Sequence, residues 1–258
     1  MALPPILYHY FQLPLPYART LALQERLHEL QLLQRRTSSH KDILLLLQHR
    51  PVYTAGRRQT ESSVQDERER LTRIGADFVT TARGGQLTYH GPGQIVGYPL
   101  VDLSRSSPPM GIRDYICRMQ KMLELHLQEV HAIEHSLCEH TGVFLDPVTK
   151  IGSIGVQVRH RLTTHGFALN ITREPLSWFD RVVACGLDDV KAGCVEVVKN
   201  KPVQVEDEIL GLVGRFGHQF DRDMVKMNVG NEGEIGEAIL AVEEDALRAG
   251  IWPKEPLE

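Results

Sequence analysis

The chain has 258 residues, 24% of them charged, with a formal net charge of -4. That length is enough to bury one sizeable core, and the mild acidity gives no overall basic field for nucleic acid. No unbroken apolar run exceeds five residues; Ile43 to Leu47 is one of that length and suits a buried strand, far short of the roughly 18 residues that a membrane-spanning helix needs.

Pro16 opens a first helix, on which Leu23, Leu27, Leu30 and Leu33 recur at helical spacing. Arg19 to Arg36 holds several arginines but only Glu25 and Glu29 as acids. It therefore reads either as that helix or as a faint mitochondrial presequence. Ile43 to Gln48 is predicted as a strand entering a loop, Arg50 to Gly56. A polar helix over Glu61 to Arg73 and a strand over Asp77 to Thr81 follow. Next comes Arg83-Gly-Gly-Gln-Leu-Thr-Tyr-His-Gly-Pro-Gly-Gln94. Its four glycines and a proline allow main-chain groups close to a ligand, and an arginine, a hydroxyl, a phenol and an imidazole stand among them. The apolar run Ile95 to Val101 anchors that loop as a strand, and Ser104 to Gly111 is a turn cluster.

Residues 113–130 are predicted as an amphipathic helix with Ile116, Met119, Leu123 and Leu127 on one face. Gly142 to Leu145 and Ile151 to Val158 make a hairpin around the turn Asp146 to Thr149. His165 to Ile171 is a further strand, and residues 204–220 a helix with Ile209, Leu212, Val213 and Phe216 inward. The expectation is one α/β (α+β) domain over residues 1–220, a mixed sheet flanked by helices. Residues 221–258 form an acidic, glycine-broken peripheral tail with a helix over Glu234 to Arg248.

The four cysteines, Cys117, Cys138, Cys185 and Cys194, show no Cys-x-x-Cys pair, which fits a reducing compartment. Cys185 lies in Val182-Val-Ala-Cys-Gly-Leu187, where Gly186 permits a tight turn presenting the sulfur to a cleft. A thiol with an ordinary pKa is only a few per cent thiolate at neutral pH, so a nucleophile needs an activating partner. Histidine is the default, here His90 or His165; Lys150, just before the glycine-rich run from Ile151, is a less obvious choice. His131, His135, Cys138 and His140 have spacing a zinc ion could use, but they sit at a helix end with Glu134 and Glu139, and no metal is expected. No Gly-Lys-Ser/Thr follows the glycine loop and no Gly-x-Gly-x-x-Gly opens a helix, so neither phosphate-loop nor dinucleotide binding is supported, and no cofactor is expected.

The glycine loop with Tyr98-Pro99 resembles the signature of lipoyl(octanoyl) transferases. Thr141-Gly-Val143, Lys150-Ile-Gly-Ser-Ile-Gly155, His165-Gly-Phe-Ala-Leu-Asn170 and Ala184-Cys-Gly-Leu187 follow in that family's order, over roughly residues 8 to 220. The resemblance implies the mixed-sheet cofactor-transferase fold of biotin and lipoate protein ligases. It implies transfer of an octanoyl group from the phosphopantetheine thioester of octanoyl-acyl carrier protein to a lysine on lipoyl domains of 2-oxoacid dehydrogenase E2 subunits or the glycine cleavage H protein. By the same resemblance Cys185 carries the acyl group as a thioester and Lys150 activates it. Substrate would be bound by Arg83, Gly84, Gly85, Gln86, Leu87, Thr88, Tyr89 and His90, by Ser153, Ile154 and Gly155, and by Gly166, Phe167 and Ala168. No nucleic acid and no membrane are expected as partners. The location implied is the mitochondrial matrix, with a bacterial cytoplasm as the alternative.

Phe144 departs from the tryptophan that relatives often carry after Gly-Val, and Lys191-Ala-Gly-Cys-Val-Glu196 departs from the usual run after the cysteine. An ATP-dependent lipoate or biotin ligase of the same fold is the alternative activity. A cysteine–histidine thioesterase and a non-catalytic carrier-protein binder are the remaining readings.

Overall fold

A computed structural model describes residues 3–182 and 189–258. Its elements run β1 (Ile6–Tyr10), α1 (Tyr17–Arg35), β2 (Asp42–Leu47), β3 (Val52–Ala55), α2 (Gln65–Arg73), β4 (Asp77–Thr80), β5 (Thr88–His90), β6 (Gln94–Leu100) and α3 (Ile112–His131). They continue through β7 (Val143–Asp146), β8 (Thr149–Arg159), β9 (Leu162–Asn170), α4 (Glu174–Phe179), β10 (Lys191–Ala192), α5 (Val195–Lys199), α6 (Val205–Phe220), β11 (Met224–Lys226) and α7 (Glu234–Arg248).

The apolar run of β2 is buried on both faces, and successive side chains of a strand point to opposite sides. Leu44 and Leu46 accordingly pack with Met119, Leu123 and Leu127 of α3 and with Ile209, Leu212 and Phe216 of α6. Ile43, Leu45 and Leu47 pack instead with Leu23, Leu27 and Leu30 of α1 and with Ile235, Ile239 and Val242 of α7. The main sheet is thus the middle layer of three. Its strands lie in the order β10-β8-β9-β6-β2-β1-β11, with β7 paired to β8. Parallel pairs (β1 with β2, β1 with β11, β8 with β10) mix with antiparallel ones (β2 with β6, β6 with β9, β8 with β9), so the mixed sheet flanked by helices is as expected.

The β7–β8 hairpin turns at Asp146, whose carboxylate accepts from the Val148 amide at 2.9 Å. The segment Arg50 to Gly56, expected as a loop, contains β3. This strand stands between β4 and β5 in a second, three-stranded sheet. Val52, Tyr53 and Thr54 are strand formers, but partners 25 or more residues away were required to make them one. Leu33 is 60% exposed and does not join the inward stripe of α1. The arginine-bearing segment read as a faint presequence is α1 itself, with Leu23, Leu27 and Leu30 in the core.

Residues 221–258, expected as a peripheral tail, contribute the edge strand of the main sheet and a helix packed on it. The strand, β11, pairs in register with β1, and α7 buries Ile235, Ile239, Val242 and Ala246 against α1 and β2.

Candidate active site

Arg83 is buried and closes the glycine loop onto the small sheet. Its Nη2 donates to Thr54 Oγ1 at 2.7 Å and to the Gln86 carbonyl at 2.9 Å, and its Nη1 to the Gly84 carbonyl at 3.1 Å. The Gly84 amide donates to the Val156 carbonyl at 3.0 Å, which ties the loop to β8. At Gly85 the chain takes φ +97°, the region that glycine enters at no steric cost. The loop so formed, β8 and β9 surround a cleft of about 490 Å³.

Thirteen of the expected residues line that cleft: Arg83, Gly84, Gly85, Gln86, Thr88 and His90 from the loop and β5, Lys150, Ser153, Ile154 and Gly155 from β8, and Gly166, Phe167 and Ala168 from β9. Ser153, Ile154 and Gly155 lie opposite Ala168, Phe167 and Gly166 in the β8–β9 pairing, so two segments distant in sequence share one wall. Leu87 and Tyr89 are not part of the lining. Alternation along β5 turns Thr88 and His90 to the cleft and sends Leu87 and Tyr89 into a separate core, where Tyr89 stacks on Trp178 at 5.4 Å between ring centroids.

Tyr17, Val96, Tyr98 and His165 complete the lining. Tyr98 and His165 lie inside the quoted motifs; nothing local marks Tyr17 or Val96, which arrive on α1 and β6 through packing alone.

Lys150 pairs with Phe144 of β7 and Ala192 of β10 in the sheet register. Its Nζ donates to the Thr141 carbonyl at 3.0 Å and lies 5.3 Å from the centre of the Phe144 ring. A cation over an aromatic face is attracted by the ring quadrupole, most strongly over tryptophan, so Phe144 fills a cation-seating position. Lys150 also lines a second cleft, of about 570 Å³, with Ser153, Asn170, Phe179, Val182, Val190 and Lys191. Cys185 lies outside the described residues, in the segment between Val182 and Val190.

The two candidate histidines are poor bases at neutral pH. Burial first, and then the Arg83 charge, push His165 down to about 3. Burial pushes His90 down to about 4, against a hydrogen bond to Gln94 that works the other way. His165 also holds a left-handed backbone (φ +58°), with its amide donating to Gln24 Oε1 at 2.6 Å. A non-glycine residue in that region costs on the order of 1 kcal/mol, which the surroundings must supply.

The structure does not gather His131, His135 and Cys138. His131 instead meets His126 and Glu208: the two Nε2 atoms reach the same Glu208 Oε2 at 2.8 and 2.7 Å and bolt α3 to α6. His135 faces Glu124 at 3.5 Å. Burial alone would raise Glu208, but the hydrogen bonds from His126 and His131 outweigh it and hold the carboxyl down at about 2, from an ordinary 4.5. A depressed carboxylate contributes stability that is fully present above its unfolded value and is lost as pH falls from about 4.5 towards 2. Glu208→Ala should cost about 3 kcal/mol at pH 7 and flatten that acid-side loss, as read by urea unfolding across a pH series.

Residues 16–217 match the family described as the lipoyl protein ligase A/B catalytic domain. An octanoyltransferase of Koribacter versatilis is 33% identical over 187 residues, 72% of this chain and 74% of that one. The mitochondrial octanoyl-[acyl-carrier-protein]:protein N-octanoyltransferase of Danio rerio is 35% identical over 185 residues, 72% of this chain and 80% of its own. Among solved structures, lipoate-protein ligase A bound with ATP superposes with a TM-score of 0.65 at 15% identity, covering 96% of this chain and 95% of the other. Biotin protein ligase from Aquifex aeolicus, in complex with biotin and ATP, gives 0.51 at 12% identity, covering 83% and 70%. The structural likenesses establish the fold, and the sequence relatives narrow it further: the chain belongs to the lipoyl(octanoyl) transferase family, acyltransferases built on the lipoyl protein ligase A/B catalytic domain.

Proposed function

We propose that this chain moves an octanoyl group from the phosphopantetheine thioester of octanoyl-acyl carrier protein to a lysine of lipoyl domains, through a thioester on Cys185. The observation that carries this reading is Lys150, whose strand borders both the loop-lined cleft and the second cleft. Val182 and Val190, which flank the segment holding Cys185, line the second of these. An ammonium near a thiol favours the thiolate; a shift of two pKa units needs only about 2.7 kcal/mol of differential interaction. The neutral, weakly basic His90 and His165 favour the lysine over a histidine as the activating group.

The first half-reaction forms the Cys185 Sγ–acyl bond and breaks the donor's C–S bond. The departing pantetheine thiolate takes a proton from Lys150. In the second, the acceptor amine attacks the thioester, the C–N bond forms, the Sγ–acyl bond breaks, and Lys150 takes the proton the amine gives up. The eight-carbon tail, with seven carbons beyond the carbonyl, offers on the order of 5 kcal/mol of burial at about 0.8 per methylene, so cleft depth can measure chain length. The acceptors would be lipoyl domains of 2-oxoacid dehydrogenase E2 subunits and the glycine cleavage H protein. The mitochondrial matrix is the compartment favoured, in keeping with the mitochondrial relative from Danio rerio.

Incubating the chain with octanoyl-acyl carrier protein and no acceptor should leave a hydroxylamine-labile octanoyl mass on Cys185. No adduct, or one that survives Cys185→Ala, would defeat the covalent route. Modification of a lipoyl domain from free octanoate only when ATP is present would instead favour a ligase.

A further inference from the structure

A line of buried amides runs from the strand carrying Lys150 to the ring of His90. The Gly193 amide donates to the Lys150 carbonyl at 2.8 Å, which fixes that peptide at the β10 edge. The Gly193 carbonyl then accepts from Asn170 Nδ2 at 2.9 Å. A carbonyl can only accept, so the orientation of the Asn170 amide is set: its Oδ1 must be the atom facing Gln94. Gln94 Nε2 donates to that oxygen at 2.8 Å and points also at the Tyr89 carbonyl at 3.4 Å, a second group that can only accept. The remaining end of Gln94 is therefore Oε1, which lies 2.7 Å from His90 Nδ1. An amide oxygen brings no hydrogen, so Nδ1 must carry one. His90, Gln94 and Asn170 are all buried, and so is Gly193.

Building on the transfer proposed above, we propose that Asn170 and Gln94 are positioning residues that hold His90 as the Nδ1–H tautomer, so that its bare Nε2 accepts a hydrogen bond from the acceptor lysine's amine in the cleft. His90 lines that cleft, and among the described residues no group bonds its Nε2. The bond holds the amine with its lone pair free to attack the thioester carbonyl. The proton itself goes to Lys150, as in the second half-reaction. With a pKa near 4 the ring is neutral by about a thousand to one at pH 7, which suits an acceptor and not a proton carrier. The parallel Tyr17 ring, 6.2 Å away centre to centre, and the His49 ring at 5.8 Å limit its rotation.

The test is nitrogen NMR of the full chain labelled with 15N-histidine, with His90 assigned by its disappearance in His90→Gln. The spectrum expected at pH 7 has a pyrrole-type Nδ1 and a pyridine-type Nε2; the reverse pattern overturns the proposal, whatever the activity proves to be. Asn170→Asp keeps an acceptor for Gln94 and should keep the tautomer. Asn170→Leu removes both ends of the link and should raise the Nε2–H form. It should also slow transfer from octanoyl-loaded enzyme to a lipoyl domain about tenfold more than it slows loading from octanoyl-acyl carrier protein. Equal slowing of the two steps, or the same spectrum in both Asn170 variants, would reduce Asn170 to a structural role. If Asn170→Leu does not fold, the native and Asn170→Asp spectra still decide the tautomer. A native enzyme that never loads would sink the transferase reading and leave the tautomer result standing.

Discussion

Lys150→Met should cut octanoyl transfer by at least about a thousandfold while leaving the fold intact. Methionine keeps most of the length and the contact with Phe144, and removes the charge, the proton and the hydrogen bond to the Thr141 carbonyl. Two losses multiply. Without the ammonium, Cys185 returns towards an ordinary thiol, only a few per cent thiolate at neutral pH, a loss of about tenfold or more. The amine step also loses its proton acceptor, worth typically 10²–10⁴ in rate. The pH–rate profile separates them. Activity in the variant should climb towards pH 9 as the thiol ionises, whereas the native profile should be flat over that range. Alkylation of Cys185 by iodoacetamide should shift to higher pH in parallel. An alkylation profile identical to the native one would remove Lys150 from the activating role, and transfer within about threefold of native would remove it from the mechanism altogether.

Arg222→Met should destabilise the chain by about 3 kcal/mol without touching the cleft. Asp42 opens β2 and is fully buried. Its Oδ2 lies 2.8 Å from Arg222 Nη1 and 3.6 Å from Arg105 Nε, while its Oδ1 accepts from the Asp102 amide at 2.9 Å. Removing the nearer guanidinium leaves a carboxylate in the interior with a distant partner, and an uncompensated buried charge costs far more than a surface pair contributes. For a domain of this size that corresponds to a fall of about 6–12 °C in Tm. Asp42→Asn in the same background should recover part of the loss, since it removes the stranded charge. A Tm unchanged by Arg222→Met would mean that Arg105 alone compensates Asp42.

The Arg222 result bears on how far the chain could be read without its structure. Residues 221–258 are acidic and broken by glycine, so outside the helix over Glu234 to Arg248 their local pattern carries no sign of a core role. Their contribution comes from position: β11 reaches β1 across more than 200 residues, and Arg222 finds Asp42 across 180. Burial of a charge depends on what arrives beside it, and no spacing rule reports that. The helix over Glu234 to Arg248 was legible for the opposite reason, since its apolar period lies within the segment.

The candidate site divides the same way. Glycine loop, hairpin and β9 strand were readable because turn chemistry and alternation are set by adjacent residues, and the ordered motifs sufficed for the family. Which face each side chain of the glycine loop takes was not readable. Leu87 and Tyr89 belong to the same motif as Thr88 and His90, yet a three-residue strand paired to β3 turns them to opposite sides. Tyr17 enters the cleft from α1, and His126 joins His131 only because α6 brings Glu208 between them. Neighbours along the chain decide helix, strand and turn through steric and hydrogen-bonding rules a few residues long. Strand partners, buried ion pairs and the walls of a cleft are decided by segments tens to hundreds of residues apart, and only the packed sheet brings those together.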